Sequence, residues 1–238
     1  LCAPSPEDMI ATIRSRCRHL GLRIPTASAV ADLLVREGVA DPAVALDAAR
    51  AAQSHIGLAR ALARDPKMRE RRRAIITAPA SVRSVGEAVM AADRLLETAK
   101  AQADAQVSER NAREKAELMR QLGMEEGESA TKASRTMIRQ LEEDQKRRSK
   151  RALTDAIDRA LIDLLAIYRD VLMVQVGGDG ELINTDLTDL VHQIAQDSTP
   201  RQTLARVDHI ETARKRLVSN GNPLLVLEDM AISLRPQV

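Results

Sequence analysis

The chain contains no phenylalanine and no tryptophan, and its one tyrosine is Tyr168. Any core must therefore be packed from Leu, Ile, Val, Met and Ala. Straight-chain residues and alanine lose little side-chain freedom in a helix, so a core of this kind favours helices over sheets. Backbone punctuation is sparse as well, with ten Gly and nine Pro in 238 residues. Alternating β-branched runs are scarce. The expectation is a nearly all-helical, all-α chain.

Charge and cysteine content narrow the function classes. The net charge is +2, so no overall field argues for nucleic acid. The balance is uneven, with 13 Lys/Arg against 8 Asp/Glu in residues 1–78, which allows a local basic face there. Cys2 and Cys17 form neither a CxxC pair nor a disulfide framework. No run approaches the roughly 18–20 apolar residues of a membrane span, and "ALIDLLAIY" is interrupted by charge. A cytoplasmic protein with no membrane contact is expected.

Helix signals divide the chain. "LCA" reads as a strand end and "PSPED" as a turn. Residues 26–78 read as three short helices. Thr26 or Ser28 caps the first, and Gly38 stops it. Asp41–Pro42 and Asp65–Pro66 each pair an N-cap with proline at the first helical position. "SHIGLARALARD" continues or restarts after Ser54. "PASVRSVGEA", residues 79–88, is the best linker candidate. Beyond it, 81–122 is almost free of breakers and 128–175 is equally continuous. Leu153, Ile157, Leu161, Leu164, Tyr168 and Leu172 recur every three or four residues, an apolar stripe on one helix face. Tyr168 is expected buried with its hydroxyl bonded. "VGGDGELINTD" is the clearest loop. Helices follow at about 186–197, 200–219 and 223–234, with Ser198 or Thr199 and Asn222 as caps. The highly charged middle, 98–150, suggests two exposed helical arms meeting at "GMEEGES". Its apolar seam is too thin to fix a coiled-coil hairpin.

One short stretch concentrates chemistry. "ATIRSRCRH" places Arg14, Arg16 and Arg18, with Arg23 close behind, around Cys17 and His19. A loop with exposed arginines accounts for it. Zinc wants about four ligands, and Cys17 with His19 offers two. A Cys–His nucleophile here has no orienting acid and no oxyanion hole in view. "RERRRAI", Arg69–Ile75, reads as a solvated helix face, with phosphate contact as the alternative. "VGGDG" lacks the G-x-x-x-x-G-K-[ST] spacing of a phosphate loop.

The longer run "APSPEDMIATIRSRCRHLGLRIP" resembles the end of the AAA+ ATPase module of DNA clamp loaders. There a strand ends in a polar sensor, and a proline-containing turn and a short helix follow. "T-I-x-S-R-C" comes next, and then a strand leading to a three-helix lid. The signature falls on Ser15, Arg16 and Cys17. The resemblance makes Arg16 an arginine finger, with Ser15 and Cys17 seating it. A planar, permanently charged guanidinium supplied in trans stabilises the charge spread over a transferring γ-phosphoryl group. Two departures stand out. The sensor threonine of the hydrolysing subunits is replaced by Ala3 and Pro4. The arginine of their Gly-Ser-x-Arg-Asp-Ala-Leu-like helix start corresponds to Gly57 in "SHIGLARAL", with Arg60 one turn later.

The resemblance therefore implies a stator-like subunit of the bacterial DNA polymerase III clamp loader, with no ATPase of its own. It implies no cofactor here, ATP and Mg being bound by the neighbouring subunit. The implied partners are the gamma/tau and delta subunits, with the sliding clamp and primed DNA engaged through the assembled complex. The implied domains are 1–21, the end of an AAA+ nucleotide-binding domain whose earlier part precedes this fragment; 22–78, a three-helix lid; and 79–238, a helical collar. Two other classes stay open: a helical scaffold or coiled-coil adaptor in which "SRC" is coincidental, and a helical nucleic-acid binder.

Overall fold

The computed structural model describes residues 3, 5–123 and 132–235. Among them the regular structure is helical, with no strand. The all-α expectation is met. The strand end expected at "LCA" falls largely on Leu1 and Cys2, outside the described residues, and the strand expected after Cys17 is absent from the described residues. Pro6–Asp8 forms a 3-10 turn, and 18–26 has no regular structure. Contacts divide the chain into two units, Leu1–Ala63 and Arg64–Val238.

The first unit opens with the short helix α1, Ala11–Arg14. Helices α2 (Ala27–Arg36), α3 (Pro42–Ala51) and α4 (Ile56–Arg64) follow. Local chemistry sets their ends. The Thr26 hydroxyl accepts from the Ala29 N–H at 3.2 Å. Asp41 accepts from the Ala43 and Val44 N–H groups, with Pro42 at the first helical position. Gly38, at φ +66°, closes α2, and the Val39 N–H returns to the Leu34 carbonyl at 2.9 Å. Its buried apolar residues are mostly small, among them Ala45, Ala48, Ala49 and Ala59, with the larger Val30, Leu34 and Leu62.

The second unit begins with α5, Pro66–Ser81, capped by Asp65. The linker expected at 79–88 is shorter than its composition suggests. Pro79 sits inside the last turn of α5, where only one backbone bond is forfeited, and the connection is residues 82–84. Ser84 and Glu87 then form a reciprocal capping box that starts α6, Val85–Gln121. The sequence groups α5 with the helices before it. In the structure its buried Ile76 belongs to the core of the second unit.

Helix α7, Lys132–Gln175, is the axis of this unit and packs against α5, α6, α8 (Thr188–Gln196) and α9 (Pro200–Val218). Helix α10, Pro223–Ser233, closes against α6 and α9. The expected caps are Thr199, within a capping box with Gln202, and Asn222. The predicted stripe is buried at Ile157, Leu161, Leu164 and Tyr168 and half-buried at Leu153 and Leu172.

Helices of 37 and 44 residues are roughly 55 and 65 Å long at 1.5 Å per residue. Their distal halves pair as an arm. Ala103, Val107 and Ala152 form its base. A polar layer then replaces the apolar seam. Arg148 donates to Asn111 Oδ1 at 2.7 Å and to Glu114 at 2.8 and 3.1 Å, and Gln145 donates to the Asn111 carbonyl at 2.9 Å. The tip expected at "GMEEGES" lies outside the described residues beyond Gly123.

Candidate functional site

Helix α1 ends on the predicted signature. Ser15 is its C-cap: its N–H donates to the Ala11 carbonyl at 3.0 Å and its hydroxyl to the Thr12 carbonyl at 3.2 Å. Arg16 continues the turn, its N–H donating to the Ile13 carbonyl at 3.1 Å. All of Ser15, Arg16 and Cys17 are exposed. The serine therefore fixes the backbone that carries the arginine. Cys17 packs against nothing that buries it, so the seating role expected of the thiol is not seen among the described residues.

Arg14 differs from Arg16, Arg18 and Arg23, which share an exposed position without ion pair or side-chain hydrogen bond among the described residues. Arg14 and His19 act on Glu7, whose carboxyl lies below its ordinary value chiefly through the Ser5 hydroxyl, then through a backbone N–H, with those two charges adding to it. Arg16 has no ion pair and no side-chain hydrogen bond among the described residues. A planar cation held on an ordered turn, with all its donors unspent, suits an anionic ligand outside this chain. No group of three or more His, Cys, Asp or Glu among the described residues could hold a metal ion.

The positions expected to correspond to the sensors, Ala3, Pro4 and Gly57, have no polar side chain. Ala3 is exposed, and Pro4 lies outside the described residues. Gly57 sits at the start of α4. The cap there is not Ser54, which has φ +68°, but His55, whose Nδ1 accepts from the Leu58 N–H at 3.1 Å. A Cβ added at Gly57 would meet His55 Cε1 at 3.3 Å. Arg60, one turn on, is engaged in a two-pronged pair with Glu37, with contacts of 2.7–3.0 Å.

On α5, Glu70, Arg71, Arg73 and Ala74 of "RERRRAI" are exposed, as a solvated face requires, but Arg72 turns inward. Arg72 donates to Asp163 at 2.9 Å and to Asn184 Oδ1 at 2.6 Å, with only 11% of its side chain exposed. Arg73 pairs with Asp186 and Arg71 with Asp65. Asn184 in turn donates to Asp170, which also accepts the Ile183 and Asn184 N–H groups and pairs with Arg169. This network ties the 176–187 loop to α5 and α7. Sequence reasoning missed it because its members lie 91 and 112 residues apart along the chain.

Residues 130–235 match the family model of the DNA polymerase III delta subunit, C-terminal. A stretch of 72 residues is 38% identical to the DNA polymerase III subunit delta' of Bacillus subtilis, spanning 30% of this chain and 22% of that protein. No solved structure matches. Both sequence matches bear out the resemblance to clamp-loader subunits.

Proposed function

We propose that this delta-prime-like chain works in a DNA polymerase III clamp loader as a stator-like subunit that does not hydrolyse ATP. Arg16 acts in trans as an arginine finger on ATP and Mg held by a neighbouring gamma/tau-type ATPase subunit. The helical bundle after Arg64 serves as the collar that holds the ring together with gamma/tau and delta subunits. The assembled ring then loads the sliding clamp onto primed DNA.

One observation carries the reading. The cation at the centre of the Ser15–Arg16–Cys17 turn is exposed and unspent, whereas Arg60, the nearest arginine to the second sensor position, is consumed by Glu37. The residue suited to a neighbour's nucleotide is free, and the one nearest an own-nucleotide role is not. The absence of a nucleotide-contacting side chain at Ala3 and Gly57 points the same way. The two matches to polymerase III delta and delta' proteins supply the assembly in which such a residue has a use.

The test uses Arg16→Ala in the natural subunit that carries this chain, assembled with the clamp loader's other subunits. Clamp- and DNA-stimulated ATPase should fall while the assembled complex keeps its size on gel filtration. Normal turnover in the fully assembled variant complex would refute the finger. Failure to assemble with Arg16→Ala would instead make the residue an interface contact.

A further inference from the structure

A pocket in the second unit lies where three helices face one another with small side chains. Ala78 on α5, Ala91 on α6 and Ala231 on α10 line it, and their methyl groups leave the space between the helices unfilled. Leu164 and Met230, both buried, close its inner end. The cavity measures about 230 Å³. Water is a poor occupant, because a buried water needs about two to four polar partners. The one hydroxyl among the described lining residues, that of Thr98, already donates to the Arg94 carbonyl at 2.8 Å. Walls of this kind suit an apolar body, with a few polar groups left to fix its orientation.

The charged groups at this pocket are of one sign. Arg71 and Arg94 also line it, and both are exposed, which puts them at its mouth. No carboxylate lines it among the described residues. Arg94 has no ion pair and no side-chain hydrogen bond among them. The carboxylate one turn along α6 belongs to Glu97, and Lys100 holds it at 2.7 Å. Arg71 keeps one contact with Asp65, at 3.3 Å, and both side chains are about half exposed, so the pair is weak. An apolar pocket with two cations at its mouth is complementary to an apolar body that carries one anionic head. Volume sets the size of that body. A dry cavity of about 150 Å³ takes benzene, so this one has room for an alkyl chain of about eight carbons.

We propose that the pocket binds a medium-chain monocarboxylate. The alkyl chain lies between α5, α6 and α10. The carboxylate meets the Arg94 guanidinium, with the Arg71 charge beside it. Such a site sorts ligands by two criteria: a short carboxylate lacks the body, and an alcohol of matching length lacks the head. The proposal is independent of the role of Arg16 and of the assembly in which the chain works.

Methyl-resolved NMR of the full chain tests it, with sodium octanoate, octanol and sodium acetate as separate probes below micelle formation. Octanoate should give saturable shifts at the methyl groups of Ile75, Leu164 and Met230, which line the pocket. Acetate at the same concentrations should leave those signals in place. Arg94→Gln, at an exposed position, should weaken octanoate binding several-fold and leave octanol binding unchanged. Ala78→Leu and, separately, Ala231→Leu fill the space and should each abolish saturation by octanoate. If neither filled variant folds, Arg94→Gln carries the test. No saturable shift at these methyl groups, saturation by acetate, or octanoate binding unaltered in Arg94→Gln or in a folded filled variant would overturn the proposal. An equal loss for octanol in Arg94→Gln would make Arg94 a packing residue and overturn the carboxylate assignment.

Discussion

Arg72 is the most informative single perturbation of the fold. Its guanidinium joins Asp163 and Asn184 in the interior of the second unit, and both partners are nearly inaccessible. In Arg72→Met the stem still packs, but Asp163 loses its hydrogen-bonded counter-ion and keeps only the weaker pull of the Arg159 charge. Removing one partner of a buried pair costs about 3–5 kcal/mol. The Asn184 carbonyl also loses its 2.6 Å donor, but the two losses belong to one network and do not add fully. A total of about 4 kcal/mol lowers the melting temperature of a unit this size by about 8–16 °C. Thermal unfolding followed by far-UV circular dichroism reads the change. A loss under about 2 °C would show that the network is not what holds α5 to α7. The double variant Arg72→Met/Asp163→Leu should recover more than half of the loss, since an apolar pair of similar volume replaces a buried ion pair at little cost.

The same residue pair fixes the sign of a pH dependence. Burial raises the Asp163 carboxyl above its ordinary value, and the Arg72 charge opposes that shift without cancelling it. The folded pKa thus exceeds the unfolded one. Between the two values the folded state holds a proton that the unfolded chain has released, so the stability Asp163 contributes falls as pH rises through that window. Without Arg72 the shift grows. The Arg72→Met deficit should therefore be larger at about pH 7 than at about pH 4.5, where protonation relieves the unpaired carboxylate.

Two further outcomes test the long helices. Glu114 is held down to about 2 by hydrogen bonds from Arg148 and then Arg110, so its side-chain carbon signal in NMR should titrate near that value. Its stabilising effect is present above the ordinary glutamate pKa and is lost as pH falls through the depressed one. A midpoint near 4.5 would mean that the polar layer of the arm is not formed. Ser84→Ala removes the capping box that starts α6 and should cost about 1 kcal/mol in denaturant unfolding, with no effect expected from Ser81→Ala, whose hydroxyl only returns to the Ala78 carbonyl.

These predictions divide between what local sequence encodes and what it does not. Thr26, Asp41, Asp65, Thr199 and Asn222 were legible as caps because a cap needs only its own next two or three residues. The stripe from Leu153 to Tyr168 was legible because burial follows the helical period. His55 was hidden, since a cap by imidazole Nδ1 has no strong sequence bias, and "SH" reads first as serine. Asn184 was hidden inside a stretch that looks like pure loop, because its anchor, Asp170, lies on the preceding helix. The polar layer of the arm reads as a gap in an apolar seam until Asn111, Glu114, Gln145 and Arg148 are seen to bond one another.

The candidate site follows the same division. No periodicity singles out Arg16 from Arg14, Arg18 and Arg23. Resemblance picked it out through the Ser-Arg-Cys signature, and the geometry adds that Ser15 orders the turn while the guanidinium stays unspent. Arg72 was invisible as a special residue for the converse reason: an arginine's role depends on which carboxylates the fold brings to it.

The proposed function turns on Arg16 and a phosphoryl group on another chain. The most direct measurement is the single-turnover rate of ATP hydrolysis in a clamp loader assembled with the natural subunit carrying Arg16→Ala, with only the adjoining ATPase site competent. A finger in trans predicts a fall of about 10³-fold or more at that site where chemistry limits, with ATP binding unchanged. A single-turnover rate equal to that of the unaltered complex would contradict it.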